Sequence, residues 1–175
     1  MSTVRAVAMV LAFALVACDE DERPDGSAGV LDGGELPDAG PVPEGATRFV
    51  MRIENVAGPA FPTALGAGIA VVHDAPDPLF TEGARDRGLG LEALAEDGDP
   101  RPLAAALGGA TFGAIAPGAA RNVIVDARPG QRLSFATMLL ESNDVFLAPD
   151  GRGIALFDEA GRPLPDRDVS EFVHV

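Results

Sequence analysis

The sequence predicts a mainly β domain, an antiparallel β-sandwich with one or two short inserted helices. Three observations support this prediction. From residue 47 onward, short apolar or alternating runs recur with turn signals about every ten residues, which is the strand spacing of a sandwich. Glycine and proline separate these runs and end them. The segment between residues 88 and 107 alone changes to the spacing of a helix.

Two strands are expected at the start of the domain. Residues 48–56 alternate apolar and polar side chains, as a strand with one buried face does, and a glycine–proline pair ends them. Residues 68–74 form a second apolar run, which is ended by prolines. Leu79 and Phe80 follow in a loop, and we expect them to plug the core from there.

Two short helices are expected next. Residues 88–96 mix apolar spacings of two, three and four, and they place Glu92 and Glu96 one helical turn apart. Residues 102–107 form the second helix, with Asp99 on its N-cap side and proline in its first turn. Two glycines end it.

The remaining strands are expected at residues 121–126, at residues 132–140 and in a final apolar run at residues 153–158. A Ser-Asn-Asp corner at residues 142–144 follows the long central strand. Buried strands joined by a corner rich in carboxylate and amide oxygen are typical of a sandwich rim, where hard cations often bind. The corner is therefore a candidate site.

The N-terminal residues 1–18 are predicted to form an export signal. Arg5 supplies a positive charge before an apolar stretch at residues 6–16, which is shorter than the roughly 20 residues that span a bilayer. Residues 15–18, LVAC, resemble the bacterial lipobox, which predicts a lipid on Cys18. The alternative is an ordinary signal peptide with an incidental cysteine. Cys18 is the only cysteine, which excludes intramolecular disulfides and cysteine-ligated metal sites.

Residues 19–46 are predicted to be a disordered acidic tether rich in glycine and proline. Nine acidic residues face one arginine there, and large apolar residues are few. Such a segment cannot bury enough apolar surface to offset its ordering entropy. Calcium capture by the acidic run at residues 19–22 is the alternative to a solvated spacer.

Residues 47–175 have the size of one domain, and their composition excludes several functions. The whole chain has a net charge of −14, and it contains no lysine, because all 13 basic residues are arginine. An acidic domain is no nucleic-acid binder, and Schiff-base or P-loop chemistry requires lysine. The absence of tryptophan and tyrosine counts against sugar binding by aromatic stacking.

Three blocks in order resemble the spondin domain, in particular its bacterial, lipoprotein-borne branch. They are residues 90–99 (GLEALAEDGD), residues 133–138 (LSFATM) and residues 142–146 (SNDVF). The resemblance covers about residues 48–158 and implies a C2-like β-sandwich, a calcium site at one end and, in animals, a role in adhesion or matrix contact. The chain departs from the bacterial pattern after residue 158, where relatives continue into a further strand.

The resemblance places Asp144 and Asp150 on the two aspartates of the family's last block. We therefore expect a Ca²⁺ site at the corner, with Asp74 joining from another loop and with Glu141 and Asn143 completing the six to eight oxygen ligands. The alternative is that the aspartates are turn residues, bonded to local backbone N–H groups.

The sequence contains candidate catalytic residues, but each of them lacks part of a catalytic motif. His73 and the following aspartate suggest a triad, but Ser134 lies within an apolar strand and Ser142 lacks a glycine elbow. We expect His73 to pack at a strand end. The chain has two histidines without zinc-site spacing. Glu92 and Glu96 are spaced as paired carboxylates are, although a solvated helix face explains them as well.

The sequence therefore predicts an exported protein of the cell envelope, not an enzyme. It would be lipid-anchored to a bacterial membrane, periplasmic or surface-exposed, and would present a spondin-type binding or adhesion domain to an unknown protein or matrix partner. Its edge strands offer pairing to an extended partner segment. Two alternatives stay open: an exported hydrolase or sugar-processing enzyme using His73 or the Glu92/Glu96 pair, and a purely structural envelope protein without a ligand.

Overall fold

The computed structural model describes residues 40–60, 62–76, 78–142, 144–170 and 173–174, and the backbone of residues 9–15. The described chain is mainly β, with two antiparallel sheets and two short helices, which confirms the predicted fold class. In chain order the elements are β1 (Met9–Leu15), β2 (Thr47–Asn55), β3 (Leu65–His73), α1 (Leu91–Asp97), α2 (Arg101–Leu107), β4 (Ala110–Phe112), β5 (Ala120–Ala127), β6 (Arg132–Leu139), β7 (Phe146–Pro149), β8 (Ile154–Ala155) and β9 (Val173–His174).

The smaller sheet has three strands in the order β1-β2-β5. β1 lies within the predicted export signal and runs antiparallel to β2. The lipobox cysteine Cys18 and the tether up to residue 39 lie outside the described residues. Among the residues that are described, no helix is long and apolar enough to cross a membrane.

The larger sheet has the order β4-β3-β6-β7-β9, and β8 pairs with β6. β3 and β6 pair along most of their length, from Leu65↔Leu139 to His73↔Arg132, with a register shift between Leu65 and Gly68. Since this pairing is antiparallel, the end of β3 and the start of β6 lie at the same edge of the sandwich, together with β8.

The two sheets enclose the main core. Phe49, Met51 and Ile53 alternate along β2 and are 0–2% exposed, and they pack with buried residues of β6 such as Leu133 and Phe135. Burial of each large apolar side chain contributes about 1.5–3 kcal/mol. The alternation predicted for residues 48–56 is therefore the pattern that builds this core.

The helices cover the outer face of the larger sheet. Leu94 of α1 and Leu103 of α2 are fully buried against Ile69 and other apolar residues of β3 and β6. Gly90 lets the helices meet, because a Cβ there would lie 2.6 Å from the backbone nitrogen of Leu103. Both helices begin and end close to their predicted limits.

Asp99 lies on the N-cap side of α2, as predicted, directly before the N-cap residue Pro100, which has no side-chain cap of its own. Asp99 Oδ1 accepts a hydrogen bond from the backbone N–H of Arg101 (3.0 Å), the first residue of α2, and the guanidinium of Arg101 holds both carboxylate oxygens at 2.8 Å. The carboxylate therefore satisfies one of the N–H groups that the start of a helix leaves without an intrahelical partner.

The strand predictions differ from the structure at several places, and β1, β7 and β9 were not predicted as strands. β3 begins at Leu65, before the predicted run, because the register shift accommodates its glycine-rich start. β4 was not predicted, since its three residues directly follow the two glycines that end α2. The run at residues 153–158 forms only the short β8 and a bridge between Phe157 and Pro163.

Candidate functional site

A groove of about 480 Å³ lies beside β7, on the side of the larger sheet that carries the helices. We call it the β7 groove. Its lining combines aromatic, small and ionisable side chains: Phe80, Glu82, Phe146, Ala148, Asp150, Gly151 and His174. The volume falls within the range of small-ligand and peptide side-chain pockets.

Two phenylalanines form the apolar part of the β7 groove. The rings of Phe80 and Phe146 meet edge to face, with centroids 5.4 Å apart and an interplanar angle of 73°. Leu79 is 2% exposed and anchors the loop that carries Phe80. Of the two residues that were expected to plug the core, Leu79 is therefore the one that is fully buried. Phe80 and Phe146 stay half-buried and present ring surface to the groove.

Asp150 places a negative charge at the rim of the β7 groove. Its Oδ1 accepts the backbone N–H of Arg152 at 2.9 Å, and its Oδ2 lies 3.1 Å from the guanidinium of the same arginine. Burial raises the pKa of the Asp150 carboxyl, but the hydrogen bonds and charge of Arg152, with the charge of Arg132, outweigh it and lower the pKa overall. Asp150 therefore stays ionised at neutral pH.

Asp144 lies at the corner between β6 and β7, close enough to α1 for its charge to act on Glu96. Both Asp144 and Glu141 have left-handed backbone, with φ of 63° and 67°. The pKa of Glu96 is raised, first by the charge of Glu92, and the charge of Asp144 adds to this effect. The corner and the end of α1 thus share a negative potential.

The structure places the predicted calcium ligands that it describes in separate surroundings. Asp74 is exposed and accepts a hydrogen bond from Gln131 at 3.2 Å, Asp150 is paired with Arg152, and the charge of Asp144 acts on Glu96 of α1. Within the described part of the chain, no group of three or more His, Cys, Asp or Glu side chains is placed to hold a metal ion. Asn143, another predicted ligand, lies outside the described residues. The bonds of Asp150 match the alternative of a turn aspartate, and the Ca²⁺ site stays a prediction.

His73 packs at the end of β3, as expected, and it forms a contact that the sequence did not predict. Its Nε2 lies 2.9 Å from Ser134 Oγ, and its Nδ1 lies 2.6 Å from the carbonyl oxygen of Ala75. Because a carbonyl only accepts, Nδ1 carries the proton and Nε2 accepts from the serine hydroxyl. This is the tautomer that a general base would have.

The His73–Ser134 pair is closed to solvent. His73 is 8% exposed and Ser134 is 2% exposed. A Cβ on Gly153 would lie 2.7 Å from both His73 Nε2 and Ser134 Oγ, so the backbone of Gly153 covers the pair. Arg132 fixes this cover by donating to the carbonyls of Arg152 (2.6 Å) and Gly153 (2.8 Å).

The other serine considered for catalysis lies elsewhere. Ser142 donates its hydroxyl hydrogen to the carbonyl of Leu139 in the turn that ends β6. Glu92 and Glu96 lie on the exposed face of α1. Neither arrangement combines a nucleophile with a base.

The β7 groove was missed at the level of sequence because its aromatic residues come from separate parts of the chain. Phe80 lies in a loop and Phe146 lies at the start of a short strand. The sequence around each of them predicts only a residue of the core. The His73–Ser134 contact had a stronger signal. With Val71 opposite Ser134 in the register, His73 and Ser134 are diagonal neighbours on one face of the sheet.

Comparison with known proteins found no relative of this chain. No protein-family model matches the sequence. No curated protein and no solved structure matches it either. The resemblance to the spondin domain therefore rests on its three sequence blocks, and membership of that family stays a prediction.

Proposed function

We propose that this chain is an exported, lipid-anchored protein of the bacterial cell envelope that displays one β-sandwich as a binding or adhesion domain of spondin type. Three parts of the sequence serve to display this domain at the membrane. Residues 1–18 direct export, a lipid on Cys18 holds the chain at the membrane, and residues 19–46 act as an acidic spacer. The domain then meets its partner away from the membrane surface.

The observation that carries the binding role is the β7 groove. It presents two half-buried phenylalanine rings next to the ionised carboxylate of Asp150 and the exposed Glu82. Aromatic surface with a few polar groups at its rim is typical of binding sites in proteins. The groove also borders the SNDVF block, so the resemblance and the geometry favour the same face of the domain.

The chemistry of the β7 groove favours a partner segment of protein or matrix that carries an apolar side chain beside a basic one. The apolar group would pack on Phe80 and Phe146. The basic group would lie near the exposed Glu82, and the net charge of −14 would attract it over a longer range.

A photo-crosslinking amino acid in place of His174, an exposed residue of the groove lining that the proposed contact does not use, tests this surface in intact cells. We expect it to form adducts with a partner, and we expect Phe146→Ala to reduce them by about tenfold, the effect of losing roughly 1.4 kcal/mol. The same crosslinker in place of the exposed Arg121 on β5 is the control. Adducts of equal yield at both positions, or none at residue 174, would instead support an envelope protein without a ligand.

A hydrolase is the second candidate, and the His73–Ser134 contact is the observation that favours it. The distance and the tautomer suit a nucleophile and its base. Against it, the third group is the carbonyl of Ala75 in place of a carboxylate, and Gly153 covers the serine. We therefore assign the pair a structural role.

A fluorophosphonate probe distinguishes the two roles of Ser134. The structural role predicts no labelling of the native chain, because the probe must reach a hydroxyl that is 2% exposed. Labelling that disappears in Ser134→Ala but persists in Ser142→Ala would support the hydrolase.

A further inference from the structure

β2 has a neighbour on both sides only because β1 lies against one of its edges. The pairing runs from Met9↔Asn55 to Leu15↔Phe49. β1 falls within residues 1–17, which maturation at Cys18 would remove. The edge of β2 would then be free, and a free strand edge readily pairs with another strand.

The backbone groups that would be freed can be assigned. The N–H of Asn55 donates to the carbonyl of Ala119 at 2.9 Å, and its carbonyl accepts from Gly118 at 2.7 Å, so both groups point to the β5 side. Backbone direction alternates along a strand. The N–H and C=O groups of Val50, Arg52 and Glu54 therefore point to β1, and those of Arg48 lie on the same side of β2, beyond the described end of β1.

We infer that, once β1 is absent, this edge of β2 pairs with the same edge of a second copy of the chain. The smaller sheets of the two copies would then join across a twofold axis, which requires antiparallel strands and an interface that matches itself. The inference rests on the proposed removal of residues 1–17, because β1 otherwise fills the edge.

The sequence of β2 selects one register for this pairing. Even-numbered residues must face even-numbered residues, so the axis passes through Val50, Met51 or Arg52. The register centred on Val50 places Arg48 opposite Arg52, and the register centred on Arg52 places two copies of that arginine face to face. The register centred on Met51 places Arg48 opposite Glu54 of the second copy, so it alone brings opposite charges together across the pairing. Within one copy Arg48 already binds Asp126 and Arg52 binds Glu54, so the contact across the axis would extend these two ion pairs into a network.

The same register matches the apolar residues of β2. Phe49 would lie opposite Ile53 of the second copy, with Met51 on the axis, and all three already face the core. The pairing would span residues 47–55, which include the seven residues that β1 covers. Charge and apolar pattern thus agree on a second copy as the occupant.

Sedimentation equilibrium of the full chain in detergent tests this inference, with Cys18→Ser to prevent lipidation. Ala12 is the β1 residue opposite Arg52, and Ala12→Pro removes an N–H that bonds to the β2 edge. We expect the parent chain to be monomeric and the Ala12→Pro chain to dimerise. Since this comparison needs no processing, it decides the inference even if residues 1–17 stay attached in the cell.

Variants of the edge supply the controls, each added to Ala12→Pro. Arg52→Pro spares the bonds to β5 but removes one edge N–H from each copy, and we expect about 100-fold weaker dimerisation. Arg52→Ala keeps the N–H, and Ile124→Pro puts proline on β5 instead, so both should stay dimeric. Glu54→Arg changes no backbone group and should weaken the dimer about tenfold, since two arginines then meet.

Three results would overturn the inference. They are a monomeric Ala12→Pro chain, a dimer that survives both Arg52→Pro and Glu54→Arg, and a dimer of the parent chain whose edge is filled. The mass of the chain in the cell tests the removal of residues 1–17 separately, so failure of the proposed function and failure of the edge pairing can be told apart.

Discussion

His73 Nε2 accepts a hydrogen bond from Ser134 Oγ at 2.9 Å, directly beneath the backbone of Gly153. The pair joins β3 to β6 on the helix-covered face of the larger sheet, and the loop after β7 closes over it. Each ring nitrogen of His73 has a hydrogen-bond partner, one the carbonyl of Ala75 and the other the buried hydroxyl of Ser134. The buried imidazole therefore leaves no ring nitrogen without a partner. This contact stabilises the edge of the sandwich next to the β7 groove.

Gly153→Ala should destabilise the fold. The new Cβ would lie 2.7 Å from both His73 Nε2 and Ser134 Oγ, and the φ of +70° strains any side chain there. We expect a loss of about 2–3 kcal/mol in the free energy of unfolding, measured in urea. Gly113→Ala is the matched control, because nothing lies within 4 Å of its Cβ. Equal losses in the two variants would mean that Gly153 does not cover the pair.

Asn55→Ala should cost about 2–4 kcal/mol of unfolding free energy, because two buried carbonyls would lose their donor. The Asn55 side-chain amide donates to the carbonyls of Thr63 and Ile115, each at 3.0 Å, and the residue is 1% exposed. The exposed Arg121 on β5 provides a control, and its replacement by alanine should change stability by less than about 0.5 kcal/mol. A loss that small for Asn55→Ala would show that water replaces its bonds.

Acid should destabilise the domain in part through Asp99. The side-chain hydrogen bond from Arg101 lowers the pKa of Asp99 from 3.8 to about 2. A carboxyl whose pKa is lower in the folded state stabilises the fold above its unfolded pKa, and this stability is lost as the pH falls through about 2. We therefore expect the urea midpoint to fall between about pH 5 and about pH 2, and to fall less in Asp99→Asn. Asp97→Asn is the control and should follow the parent chain.

The effect of calcium on stability distinguishes the calcium site that the spondin resemblance implies from the separate positions of the aspartates in the structure. A site with a Kd of about 10 µM would add roughly 2.7 kcal/mol at about 1 mM CaCl₂. The separate surroundings of Asp74, Asp144 and Asp150 favour no shift of the melting temperature relative to EDTA. A rise that Asp144→Ala abolishes would contradict this expectation and would support the calcium site that the spondin resemblance implies.

The sequence anticipated the elements whose pattern is local. The alternation of β2 and the helical spacing around Glu92 and Glu96 are visible without any partner, and both elements are present. β4 was missed because its three residues are held by pairing with β3, which only the tertiary fold supplies. The position of Asp99 before α2 is likewise a local signal, and its carboxylate accepts the backbone N–H of Arg101 at the start of that helix.

The candidate site was harder to anticipate than the fold. The β7 groove joins Phe80 and Phe146 across chain segments that nothing in the sequence pairs, and the His73–Ser134 contact depends on the register of β3 and β6. The calcium prediction combines Asp144 and Asp150 of one corner with Asp74 of another loop, and it stays untested. In the structure, Asp150 is paired with an arginine two residues away, and the charge of Asp144 acts on Glu96 of α1.

The mass of the intact chain extracted from bacterial membranes tests whether a lipid on Cys18 holds the domain at the membrane. We expect a chain that begins at Cys18 and carries the added mass of the lipid, and we expect Cys18→Ser to lose both the lipid and the membrane fraction. A chain that retains residues 1–17, or one that begins elsewhere without lipid, would contradict this expectation.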